Sequence, residues 1–300
     1  MQVVRITPRG YCYGVVDAMK LVRQVAEDPK TRKPIFVLGL IVHNRHAVEE
    51  LDRYGVISLD GENRLELLER VSEGTVVFTA HGVSQEVRRH AAEKGLDVVD
   101  ATCPDVTKTH DLIHRLADEG YTILYIGRRG HPEPEGAMGE APDRVHLIET
   151  ADDLRELDLA GKKLAVVTQT TLSRWDTDAT IAQLRQSYPG VEVYNEICLA
   201  TQLRQEAAVR QAEGCDLVVV VGDTRSNNSN RLVQVVKEQA GRPAYLVDGV
   251  DDIDPRWLEG KSTVGVTSGS STPSPITRDV IHFLEEYESE SQSRVGDRRE

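Results

Sequence analysis

Leu217-Val218-Val219-Val220-Val221-Gly222-Asp223-Thr224-Arg225-Ser226-Asn227-Asn228-Ser229-Asn230 decides the fold class. The run opens with five apolar residues, too short for a helix and without the alternation of a half-wet strand, so it reads as a strand buried on both faces. A polar loop follows, and then an amphipathic helical segment, Leu232–Ala240. Strand, polar loop, helix is the unit of a parallel α/β sheet.

The same order recurs along the chain. Further candidate strands are Val3–Ile6, Ile35–Ile41, Thr75–Phe78, Thr122–Ile126, Leu164–Val167, Ala244–Val247 and Val264–Val266. Helical segments such as Ala47–Tyr54, Gln85–Lys94 and Ala179–Ser187 lie between them. Strands alternating with helices predict parallel sheets covered on both faces. Most of these strands run into polar loops: Pro8-Arg9-Gly10-Tyr11-Cys12, His43-Asn44, His81-Gly82, Gly130-His131-Pro132-Glu133, Thr168-Gln169-Thr170-Thr171, Ser226–Asn230 and Ser268-Gly269-Ser270-Ser271. Ligands of parallel sheets bind beyond the carboxyl ends of strands, and helix N-termini there attract anions. Any one such loop is explained as a helix cap; together they describe a polar pocket.

Composition narrows the function classes. With 36 Lys+Arg against 49 Asp+Glu the formal charge is −13, which disfavours nucleic acid and anionic membranes as partners. No stretch reaches the length of a membrane span, and the first residues do not resemble a secretory signal, so the expected location is cytoplasmic. Four dispersed cysteines do not form a secreted disulfide framework. The residues after about Glu285 are charged and poor in apolar side chains, and are expected to be frayed or disordered.

Three of the cysteines share a context. Cys12, Cys103 and Cys198 each stand before a helix start, where the dipole favours thiolate. They are separated by 91 and 95 residues. Two readings remain open on this ground: three buried thiols, or three ligands from three comparable α/β units around an iron–sulfur cluster. Cys215 breaks the pattern and reads as a structural thiol. His110 and His114 stand at i and i+4, a spacing that can bind metal, but no third ligand is evident and a solvated polar face is the simpler reading.

These loops, in order and over nearly the whole chain, resemble the 4-hydroxy-3-methylbut-2-enyl diphosphate reductase family, also called the LytB family. The matching stretches include Pro8–Val15, Val42-His43-Asn44, Ala80–Ser84, Asp100–Pro104, Gly130–Glu133 with Glu135-Gly136, Thr168–Thr171, Ile197–Thr201, Ser226–Arg231 and Gly269-Ser270-Ser271. The resemblance implies a trefoil of three α/β domains with mainly parallel sheets around a central cluster. The expected units are 1–102 with Cys12, 103–197 with Cys103 and 198–285 with Cys198, followed by a tail at 286–300. It implies that Cys12, Cys103 and Cys198 ligate a [4Fe–4S] cluster with one open iron. His43, His81, His131, Thr170, Ser226, Asn227, Asn228 and Ser271 would contact the substrate. Glu133 would deliver protons, with Thr170 and His131 beside it. The implied reaction is reductive dehydroxylation of (E)-4-hydroxy-3-methylbut-2-enyl diphosphate to isopentenyl and dimethylallyl diphosphates. It is the last step of the non-mevalonate isoprenoid pathway, and its electrons would come from an external ferredoxin or flavodoxin. No Gly-x-Gly-x-x-Gly fingerprint provides for a built-in dinucleotide. Tyr13, Leu199 and Asn227 depart from residues frequent in the family. Rival readings are a non-redox iron–sulfur dehydratase, separated by its indifference to reductant, and a phosphate-metabolite binding protein, separated by the absence of iron.

Overall fold

The structure, a computed structural model, describes residues 1–61 and 63–287 of the 300. The chain opens with β1 (Gln2–Arg5) and α1 (Tyr13–Glu27), then β2 (Ile35–Leu38), α2 (Arg45–Asp52), β3 (Val56–Leu59) and α3 (Arg64–Glu69). β4 (Thr75–Phe78), α4 (Gln85–Glu93), β5 (Asp97–Asp100) and α5 (Pro104–Asp118) follow. Next come β6 (Thr122–Ile126), α6 (Pro132–Met138), β7 (Val145–Ile148), β8 (Leu164–Thr168), α7 (Arg174–Ser187) and β9 (Glu192–Tyr194). The described chain closes with α8 (Leu199–Ala212), β10 (Leu217–Val221), α9 (Asn227–Gln239), β11 (Ala244–Val247), β12 (Thr263–Ser268) and α10 (Ser274–Glu286).

The strands form three sheets of four, every pairing parallel, as the sequence reading expects. Their orders are β3-β2-β4-β5, β7-β6-β8-β9 and β11-β10-β12-β1. Numbered within each sheet, all three read 2-1-3-4. The repeat is therefore helix, strand 1, helix, strand 2, short helical segment, strand 3, helix, strand 4. It begins three times, at α1, α5 and α8, and the third copy takes its fourth strand from the N-terminus of the chain.

That last point corrects the expected division. A first unit of 1–102 assigns the N-terminal strand to the sheet of β2, whereas β1 pairs with β12, Val3 opposite Val264 and Val4 opposite Gly265. A half-exposed strand such as β1 needs only one neighbour, and β12 offers it a free edge. The chain divides into two units. One holds Met1–Cys12, His43–His46 and the described chain from Leu199 onward; the other holds Tyr13–Val42 and Ala47–Cys198.

Burial explains the apolar runs. In β6 and β8, Ile123, Tyr125, Ala165 and Val167 enter one core, while Leu124, Ile126, Leu164 and Val166 enter the core on the opposite face. β10 divides in the same way, Leu217, Val219 and Val221 to one side, Val218 and Val220 to the other. Each such side chain contributes about 1.5–3 kcal/mol by leaving water. The expected tail is only partly within view: Glu285 and Glu286 are still helical in α10, and residues 288–300 lie outside the described residues.

Candidate active site

In a sheet of order 2-1-3-4, strands 1 and 3 are neighbours whose connections leave in opposite directions, and the crevice between them is where such sheets bind ligands. The candidate residues collect at these places. After strand 1 of the three repeats come His43, His131 and the Ser226–Asn228 segment; after strand 3 come His81, Thr170 and Ser271. Each cysteine follows strand 4 and precedes the next helix.

The cysteines are held alike. The backbone N–H of Cys12 donates to the Ser270 carbonyl, that of Cys103 to Ala80 and that of Cys198 to Thr170, each at 3.0 Å. The acceptor in every case lies in the loop after strand 3, at or beside a candidate donor. Cys103 is the N-cap of α5 and leaves that end without a side-chain cap, and Pro104 is pre-set for the first turn. A methyl group on Gly14 would stand 2.5 Å from the Cys103 sulfur, so the glycine two residues after Cys12 keeps the space beside that thiol open. None of the four cysteines is in a disulfide. Cys215 differs from the other three: its Sγ donates to the Gln211 carbonyl, it is packed among Ile6, Val218 and Leu232, and burial pushes its thiol pKa up.

In the unit with residues 47–198, His131 is the N-cap of α6. Its Nδ1 accepts from the Glu133 N–H at 3.2 Å, so the proton of the neutral ring belongs on Nε2, a donor. Gln169 Nε2 also lies 3.2 Å from that Nδ1, and Gln169 Oε1 takes the Arg128 N–H. The His81 ring meets His131 edge-on, with centroids 5.2 Å apart. Glu133 is 1% exposed, and its carboxylate accepts from the Thr170 N–H at 2.7 Å. Burial pushes the Glu133 carboxyl pKa above the usual range against the opposing pull of Thr170. The Tyr125 phenol, fully buried, is raised further by the same carboxylate.

In the other unit, Ser226 caps α9 by accepting from the Ser229 N–H. Ser271 Oγ lies 3.3 Å from Ser226 Oγ and from the His43 carbonyl oxygen. Asn228 donates to Thr201 Oγ1 at 3.2 Å and accepts from the Ser270 N–H at 3.1 Å. Asn227, Asn228, Ser226 and Ser271 are all buried. Arginines near these loops have other partners: Arg225 pairs with Asp223, Arg45 of α2 with Asp248, and Arg204 of α8 with the Gly10 and Ala200 carbonyls. The candidate diphosphate contacts are hydroxyls, amides and imidazoles.

Thr201 and Gln169 stand in motifs quoted from the sequence but carried no role there; the signal was their position, three residues after Cys198 and one before Thr170. Among the departures, Asn227 is buried, Leu199 is exposed, and exposed Tyr13 hydrogen-bonds Asp105 at the start of α5. His110 and His114 are not on a solvated face together, since His110 is buried and both rings meet the Glu140 carboxylate.

The model of the LytB protein family matches residues 3–285. The chain belongs to the LytB family. A relative from Symbiobacterium thermophilum named 4-hydroxy-3-methylbut-2-enyl diphosphate reductase is 63% identical, across 98% of this chain and 100% of its own. One of the same name from Halalkalibacterium halodurans is 56% identical, across 96% and 92%. Among solved structures, the E-1-hydroxy-2-methyl-but-2-enyl-4-diphosphate reductase of Plasmodium falciparum is similar with a TM-score of 0.89 at 34% identity, over 96% of this chain and 89% of that one. A structure of (E)-4-hydroxy-3-methyl-but-2-enyl diphosphate reductase, the terminal enzyme of the non-mevalonate pathway, has a TM-score of 0.67 at 30% identity, over 96% of this chain and 100% of that one. No helix among the described residues is long and apolar enough to cross a membrane.

Proposed function

We propose that this chain is the cytoplasmic enzyme that reductively removes the hydroxyl of (E)-4-hydroxy-3-methylbut-2-enyl diphosphate, giving isopentenyl and dimethylallyl diphosphates. The observation that carries it is the match at 63% identity, end to end, to a relative of that name. Two electrons and two protons enter; one proton leaves with the hydroxyl as water and the other forms the new C–H bond. Cys12, Cys103 and Cys198 would hold a [4Fe–4S] cluster. The equivalent backbone tethers of the three and the room kept by Gly14 beside Cys103 suit that set, whereas the Cys215 N–H donates to the Ala212 carbonyl at the end of α8. When bound, the cluster would supply electrons singly and, with three thiolates for four irons, one Lewis-acidic iron without a protein ligand.

The chain's own residues supply the rest. Glu133, whose burial raises its pKa and so favours the protonated form, gives a proton to the departing hydroxyl. The Thr170 N–H fixes that carboxyl, and its hydroxyl orients the substrate alcohol. His43, His81, His131, Ser226, Asn228 and Ser271 receive the diphosphate, with the Nε2–H of His131 as one donor, and Asn227 also contacts the substrate. External one-electron carriers of the ferredoxin or flavodoxin kind deliver the electrons. The test is anaerobic purification followed by iron and sulfide analysis and by oxidation of a reduced viologen dye on adding the diphosphate. Stoichiometric dye oxidation with both products is expected; a colourless, iron-free protein, or hydroxyl loss without reductant, overturns the reading.

A further inference from the structure

Glu133 needs a fixed aim, yet α6, which carries it, is only 7 residues long. What secures the far end of that helix is Glu140, just beyond the C-cap Gly139. Its side chain is fully buried. Glu140 Oε1 lies 3.0 Å from His110 Nδ1 on α5, its other oxygen accepts from Gln85 at 2.8 Å, and His114 meets it too. The His110 ring fills a gap that two glycines create. Its Cε1 is 2.9 Å from where a Cβ would stand on Gly82, and its Cε1 and Nε2 are 3.4 and 3.5 Å from that place on Gly136. Gly136 is three residues after Glu133, so it lies on the same face of α6 one turn on.

We propose that His110, anchored by Glu140, is a positioning residue that fixes α6 and thereby the aim of Glu133. This rests on Glu133 being the proton donor. The molecule contains its own control. Seven residues after Cys12, the place His110 holds after Cys103, stands Met19, fully buried in α1. An apolar side chain therefore satisfies the fold at that position in the first copy, while the third copy carries buried Gln205 there. An imidazole stands here although its Nε2 is buried without a hydrogen-bond partner among the described residues.

The test is a double-mutant cycle on the iron-loaded enzyme. His110→Met keeps the volume and removes the anchor; kcat is expected to fall roughly 10- to 100-fold through misplacement of the acid, with iron content and substrate affinity unchanged. Glu140→Gln, which keeps an acceptor for Nδ1, should recover most of the loss that Glu140→Ala shows. In a Glu133→Gln background neither His110→Met nor Glu140→Ala should lower kcat further, because the group being aimed no longer donates. A full additional loss in that background makes His110 a general packing residue and overturns the proposal, as does a normal kcat for His110→Met. Should His110→Met not fold, Glu140→Ala in the two backgrounds decides alone. If Glu133→Gln by itself turns over normally, the acid assignment fails first, and the positioning role falls with it.

Discussion

At the scale of single residues, Glu133 carries the sharpest expectation. Its carboxyl is buried and raised, so the proton-donating form persists above the ordinary carboxylate range and is lost as pH climbs through the raised value. Turnover should therefore decline on the alkaline side. Glu133→Gln should abolish that limb and lower kcat by roughly 10²–10⁴-fold with iron retained. Stability follows the same sign: the unfolded chain ionises this group first, so stability falls as pH rises between the ordinary and the raised value, and Glu133→Gln relieves the loss. Among thiols, Cys12→Ser, Cys103→Ser and Cys198→Ser should each lose iron and activity, whereas Cys215→Ser keeps both; iron analysis decides. Asn228→Ala should weaken substrate binding by about 10- to 150-fold, measured by titration, since a hydrogen bond to a charged group is worth roughly 1.5–3 kcal/mol. The motif residues were legible in the sequence because polar side chains after apolar runs stand out. Glu140 was not: it sits among other acids in sequence, and only folding shows that the two histidines of α5 enclose it.

Helices and strands differ in how much of them the sequence discloses. The interior strands β2, β4, β6, β8 and β10 announce themselves by their apolar runs, and β12 by Val264 and Val266. The strands left unnoticed, β3, β5, β7 and β9, are all sheet edges, with exposed or half-exposed positions such as Asp97, Val98 and Glu192. An edge strand covers only part of its surface, so it lacks the composition that would mark it. Caps offer a control that separates stability from chemistry. Asn63 caps α3, accepting from the Leu65 and Glu66 N–H groups. Asn63→Ala should lower stability by about 1 kcal/mol in thermal unfolding and leave turnover unchanged. Ser226→Ala removes an equivalent cap from α9 but should also weaken diphosphate binding, because that hydroxyl stands among the candidate donors.

For the whole molecule, the repeat of three 2-1-3-4 sheets was half legible. The cysteine spacing pointed to three units, but no pattern within Gln2–Arg5 tells which edge it will join. Since Met1 and Tyr287 pack against the same core and Arg5 pairs with Glu285 at 2.7 Å, the two ends of the repeat meet. A circular permutant beginning at Lys30, in the exposed turn after α1, with the old termini joined through residues 288–300, restores the third copy as one continuous segment. It should fold and bind iron, as circular dichroism and iron analysis will read, whereas deletion of residues 1–11 should leave β12 as a bare edge and aggregate. The neutral character of the strand-end donors also bears on how substrate arrives. A protein of charge −13, with Arg45 and Arg225 paired to carboxylates, offers a diphosphate no net long-range attraction. Capture then proceeds against repulsion, and raising the ionic strength until the Debye length falls below about 10 Å should quicken association where most anion-binding enzymes are slowed.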